Sequence, residues 1–188
     1  MTRYFSFHSE HFDNNGDQGN ISVLRYFLAK QAVSFDGVDE LASADFVLVG
    51  DASRAAIREF GKELLDVAPA LQARHAAGLP TLLVGSSYEF LASQVTWLET
   101  PSRGSVISEF RTVVTDEAGP VVGYRNSSIV DLDFVRSGEF IATTLYGPIL
   151  AKNPNLLDQM LVACGGSPAD WQPQMRNWVE TIRGSISI

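Results

Sequence analysis

LPTLLVGSSYEFLASQ, Leu79 to Gln94, sets an apolar run directly before a helix-forming one. PTLLVG is a short, continuous apolar run, the composition of a strand buried on both faces of a parallel sheet. SYEFLASQ begins a helix, so the chain turns sharply from strand to helix at Gly85, Ser86 and Ser87. Turns of this kind carry the nucleophile in many α/β enzymes. The pattern G-x-S-x-G is not met, because Val84 precedes Gly85 and Tyr88 follows Ser87. The residues alone favour one serine as the cap of the following helix. A nucleophilic serine is the alternative, and it needs a base to take its proton.

The same alternation extends towards the N-terminus. RYFSFH, Arg3 to His8, has strand composition, and ADFVLVG, Ala44 to Gly50, is a second buried strand. Between them ISVLRYFLAKQAV places Ile21, Leu24, Phe27 and Leu28 at helical spacing, with Asp17 or Asn20 as its N-cap. The run from Ser53 to Gly78 is helical with a break or bend near Pro69. The first half therefore reads β-α-β-α-β-α, which predicts a parallel sheet with right-handed crossovers.

After Gln94 the composition shifts to Val, Ile, Phe and Thr, with turn signals at Glu117-Ala118-Gly119-Pro120 and at Ser137-Gly138. Antiparallel strands and hairpins are expected there. NPNLLDQMLVACGG reads as a helix with Pro154 in its first turn and Gly165 at its end. The tail holds one more amphipathic helix, carrying Trp178, Val179 and Ile182. The fold class expected is α/β: three layers, a mostly parallel sheet flanked by helices, with antiparallel strands added in the second half. No linker or repeat divides the chain, so residues 1–188 are expected to form a single domain.

Composition narrows the function classes. The chain is 45% hydrophobic and 19% charged, enough for a sizeable core and unlike a disordered chain. Its net charge of -8 argues against nucleic acid as a partner, since phosphate neutralisation needs a basic face. No apolar run approaches the ~20 residues that span a bilayer, and the N-terminus has no basic region leading into an apolar one. Cys164 is the single cysteine, so no intramolecular disulfide forms. A cytoplasmic protein without membrane attachment is the expectation.

The histidines are His8, His11 and His75, and none follows residue 75. His8 and His11, beside Glu10 and Asp13, are a weak metal pattern, and no metal site is assigned. NNGDQGN, before the first helix, lacks the Lys-Ser/Thr pair of a phosphate-binding loop and reads as a turn and cap. Arg103 and Arg111 are candidates for holding a carboxylate.

Four segments together resemble a known family: NNGDQGNISVLRYFLAK, ADFVLVGDAS, GLPTLLVGSSYEFLAS and TTLYGPILAKNPNLLDQML. They resemble class I glutamine amidotransferase domains of the cobyric acid synthase type, nearest to the glutaminase subunit of lipid II isoglutaminyl synthase. The resemblance covers roughly residues 3 to 165. It implies a flavodoxin-like, class I glutamine amidotransferase-like fold. The family's chemistry is hydrolysis of glutamine to ammonia: an elbow cysteine attacks the side-chain amide, a histidine activates it, and backbone N–H groups stabilise the oxyanion.

By this resemblance the cysteine position is Gly85, the two glycines after it are Ser86 and Ser87, and the glutamine is Glu89, while Tyr88 is kept. The histidine of the family's His-Gly-Pro is Tyr146, in YGPILAKNP. The glycine-rich turn becomes Gly50-Asp51-Ala52-Ser53, and a Gly-Phe/Tyr-x-Asn-His segment becomes Gly123-Tyr124-Arg125-Asn126-Ser127. A carboxylate-holding arginine falls near Arg103. The resemblance thus implies a scaffold without its nucleophile and base: a binding, structural or regulatory subunit with no catalytic residue and no cofactor. Asp51, Ser86, Ser87, Glu89, Arg103 and Tyr146 are expected to line the former pocket. The partner implied is an ATP-dependent Mur-ligase-like protein of peptidoglycan precursor amidation, with a homodimer as the alternative. Two rival functions stay open: an active amidotransferase or hydrolase using Ser86 or Ser87, with His8 or His11 reaching over the strand ends, and an interaction module with a vestigial pocket.

Overall fold

The computed structural model describes residues 1–115 and 118–186. Glu117, in the first expected turn, lies outside the described residues. The chain is α/β. Its larger sheet contains β1 (Thr2–Ser6), β2 (Phe35–Gly37), β3 (Phe46–Val49), β4 (Thr81–Val84), β7 (Phe134–Ser137) and β8 (Phe140–Thr143). The strand order is β2-β1-β3-β4-β8-β7. All neighbours are parallel except β7, which runs antiparallel to β8. The order of its first four strands is that of flavodoxin-like doubly wound sheets, with β1 at the point where the winding reverses.

The central strands explain the layering. Side chains alternate across a strand, so Phe46 and Leu48 enter one apolar cluster and Val47 and Val49 the other. The first cluster is closed by α1 (Gln18–Lys30), α5 (Ile149–Lys152) and α6 (Pro154–Ala163). The second is closed by α2 (Arg54–Asp66), α3 (Ala68–Ala77) and α4 (Ser86–Ala92). Helix α1 buries Ile21, Leu24, Phe27 and Leu28, the residues its spacing selects. Each such side chain contributes about 1.5–3 kcal/mol when fully buried.

Several expectations are refined. A strand too short to leave a pattern, β2, intervenes between α1 and β3. Of the break or bend expected near Pro69, the structure has the break: α2 ends at Asp66, and Pro69 stands in the first turn of α3. The late strands divide. Strand β8 joins the parallel sheet, and β7 is its antiparallel edge across the Ser137-Gly138 turn. Strands β5 (Arg103–Thr115), β6 (Gly119–Ile129) and β9 (Leu145–Tyr146) form a separate antiparallel sheet in the order β5-β6-β9. The tail forms α7 (Pro173–Ile186), with Trp178 and Ile182 exposed. Among the described residues, no helix is long and apolar enough to cross a membrane.

Candidate functional site

A cleft of about 920 Å³ opens at the carboxyl ends of the strands, where ligands bind in open α/β sheets. Its walls come from four places: Asn14 and Asn15 after β1, Asp51 to Arg54 after β3, Ser86 and Glu89 after β4, and Asn126, Ser127 and Tyr146 from the smaller sheet. Of the residues singled out in the sequence, Asp51, Ser86, Glu89, Arg103 and Tyr146 line it.

Ser87 does not. It is fully buried, and its hydroxyl donates to the Gly50 carbonyl, tying β3 to the start of α4. Neither serine caps α4, contrary to the expectation from the residues alone. The N-cap is Gly85, and the capping acceptor comes from another loop: Asp51 Oδ1 accepts from the Ser86 backbone N–H at 2.8 Å. An anion at a helix start is favourable, and a carboxylate on the turn after β3 supplies it across the cleft floor.

The elbow itself has no space for a side chain. Gly85 has φ +61 and ψ -127, a conformation that L side chains avoid. A Cβ built there would overlap Tyr146 Cε1 and stand 2.5 Å from Asp51 Oδ1. Gly85 and Tyr146, the positions that the resemblance assigns to nucleophile and base, are thus packed against each other. Tyr146 is nearly buried, and its hydroxyl donates to the Asn126 carbonyl at 2.6 Å. Burial pushes its phenol above the ordinary 10, and Asp51 and Glu89 push the same way. It is a poor proton acceptor at neutral pH.

Asp51 is held from every side. Its Oδ2 accepts from Asn15 at 2.7 Å and Asn14 at 3.2 Å, and its own N–H donates to Asp17 Oδ2 at 2.7 Å. The loop NNGDQGN therefore does more than turn and cap. Asp17 stands at the N-cap position of α1 without capping it; Asp13 Oδ1 accepts the Gln18 N–H instead. Asn20 is also not a cap: it links the Asp17 carbonyl to the Leu150 N–H. Asn153, at the N-cap position of α6, bonds both backbone groups of Val122 in β6. The segments NNGDQGN and YGPILAKNP are joined through the Asn20 amide.

Ser86 Oγ donates to the Ala52 carbonyl at 2.7 Å and accepts from the Ala52 N–H at 2.9 Å. Its hydroxyl proton is committed to backbone. No histidine lines the cleft. His8 bonds Glu63 at 2.8 Å and stacks on Phe60, His11 stacks on the same ring, and His75 packs against Trp97 and Phe140. Among the described residues, no group of three His, Cys, Asp or Glu side chains is placed to hold a metal ion. Cys164 is buried far from the elbow in sequence, and burial pushes its thiol up to about 12.

Glu89 and Arg103 form the polar wall opposite. Arg103 Nη1 lies 3.2 Å from Glu89 Oε2, and Ser127 Oγ donates to Glu89 Oε1 at 2.6 Å. Arg54 and Arg58, on the first turns of α2, complete the cationic side. Arg111 is elsewhere: it pairs with Asp133 at 3.0 Å. Sequence reasoning missed Asn14, Asn15, Arg54 and Arg58 as lining residues. For the asparagines, the doublet in NNGDQGN was the only signal; for the arginines, the helix start after the strand-end turn.

Comparison with models of known protein families finds none that matches the chain, and comparison with curated proteins finds none similar to it. The family resemblance rests on the four sequence segments alone.

Proposed function

We propose that this chain is a glutamine amidotransferase-like protein that has lost glutaminase activity and uses its cleft to bind a small polar ligand, as a binding or regulatory subunit. The observation that carries this reading is the filled elbow. Tyr146 and Asp51 occupy the space a nucleophile on Gly85 would need, and Asp51 takes the Ser86 N–H that would otherwise face a developing oxyanion. The ligand class follows from the lining. Arg54, Arg58 and Arg103 offer planar donors suited to a carboxylate. The amide and hydroxyl groups of Asn126, Ser127 and Ser128 offer neutral contacts.

The rival reading, a hydrolase with Ser86 as nucleophile, has no base in reach: His8 and His11 are committed to Glu63 and Phe60. A Mur-ligase-like partner belongs to the proposal through the resemblance alone. The test is ammonia release from glutamine by the purified chain. The reading predicts none above the uncatalysed background, and release at enzymatic rates overturns it.

A further inference from the structure

Strand β5 is the free edge of the smaller sheet, with β6 on its one paired side. Every residue from Arg103 to Phe110 is exposed, and the apolar ones are conspicuous: Val106 is 61%, Phe110 50% and Val114 79% exposed. Folded proteins ordinarily blunt such an edge by shortening it, bulging it, or placing charges or Pro on it. The portion from Ile107 to Thr115 carries only the oppositely charged Glu109 and Arg111. It pairs with β6 residue for residue, the one register shift falls before it, and it contains neither Lys nor Pro.

This edge is complementary to itself. Run antiparallel to a second copy about Phe110, it sets Phe110 against Phe110. Glu109 then faces Arg111 and Arg111 faces Glu109. Ser108 faces Thr112, and Ile107 faces Val113. Apolar meets apolar, hydroxyl meets hydroxyl, and each charge meets its opposite. The neighbouring registers of the same pleat are penalised: centring on Glu109 sets two carboxylates opposite each other, and centring on Arg111 sets two guanidinium groups opposite. A slip by one residue exchanges the faces. Glu109 and Arg111 already lie 3.7 Å apart within one strand, so the cross-strand pairs extend an existing row of charges.

We propose that a second copy of this chain docks along β5, in an antiparallel ladder with its two-fold axis at Phe110. The two three-stranded sheets then become one continuous sheet, an isologous contact of the commonest oligomer symmetry. The dimer does not depend on what the cleft binds.

Sedimentation velocity across a concentration series tests the assembly, and cysteine scanning tests the register. The wild-type chain is expected to be dimeric. Phe110→Asp, which sets two carboxylates on the axis, is expected to be monomeric with an unchanged circular dichroism spectrum. Under mild oxidation Phe110→Cys is expected to form a disulfide dimer, because directly opposite Cα atoms lie about 4.5–5.5 Å apart. Ser108→Cys and Thr112→Cys are expected not to, since each faces the other and its own copy lies roughly 13 Å away along the strand. Cys164 is buried and does not compete. A wild-type chain that stays monomeric, a Phe110→Asp chain that stays dimeric, or cross-linking at 108 or 112 as efficient as at 110 would overturn the proposal.

Discussion

Tyr146 fills the space in which a side chain on Gly85 would stand, and the Asp51 carboxylate closes the same space from the other side. The strand-helix elbow is closed by packing on both sides of Gly85. Substituting Gly85 should therefore be costly for two separable reasons. The positive φ costs about 1–3 kcal/mol for a residue with a Cβ, and overpacking costs a further ~1–3 kcal/mol. Gly85→Ala is expected to lower the urea midpoint by the equivalent of about 2–6 kcal/mol. Adding Tyr146→Ala should recover part of this, with a coupling of roughly 1 kcal/mol or more in a double-mutant cycle. Strict additivity would show that the two positions do not share this space.

Asp17 makes stability depend on pH. Burial, reinforced by Asp51 and Asp13, raises its carboxyl from 3.8 to about 7, against the opposing N–H groups of Asp51 and Gly147. The folded chain thus keeps a proton that the unfolded chain releases near 3.8. The stability this proton contributes is complete below 3.8 and is lost as pH rises to about 7. Asp17→Asn keeps an acceptor for the Asp51 N–H and cannot ionise. Denaturation at a series of pH values should show the variant gaining on the wild type between pH 4 and 7, by on the order of 1–3 kcal/mol. A constant difference across that window would contradict the assignment.

Asp133 holds a buried cation. Its Oδ2 accepts from Arg125 Nη1 at 3.1 Å and lies 3.0 Å from Arg111 Nε, while Oδ1 accepts from Thr144 Oγ1 at 2.7 Å. Arg125 is fully buried and also donates to the Ile129 carbonyl. Asp133→Ala leaves that guanidinium uncompensated and is expected to cost about 3–5 kcal/mol. The double variant Arg125→Met/Asp133→Leu should be clearly more stable than Asp133→Ala alone, measured as a higher thermal midpoint.

The sequence was most legible where periodicity is strong. The apolar runs of β3 and β4 and the spaced residues of α1 announced a doubly wound α/β sheet. The second half was less legible because β8 is as uniformly apolar as β3, although its neighbours in the chain are hairpin strands. Which sheet it joins is set by long-range pairing with β4, not by local pattern. Within the cleft, Asp51 and Tyr146 were identifiable by position, but their roles were not. That Asp51 caps α4, rather than Ser86 or Ser87, depends on a contact between residues 35 apart in sequence. Ser87 was misplaced for a related reason: adjacent residues at a helix start point in different directions, one towards the cleft and one under β3.

Reaction with a serine-directed fluorophosphonate reports whether the elbow carries a nucleophile. The hydroxyl of Ser86 is bonded to both backbone groups of Ala52, and that of Ser87 is buried against Gly50. The account predicts no labelling of the folded chain and no difference on Ser86→Ala. Stoichiometric labelling that disappears on Ser86→Ala or Ser87→Ala would contradict it.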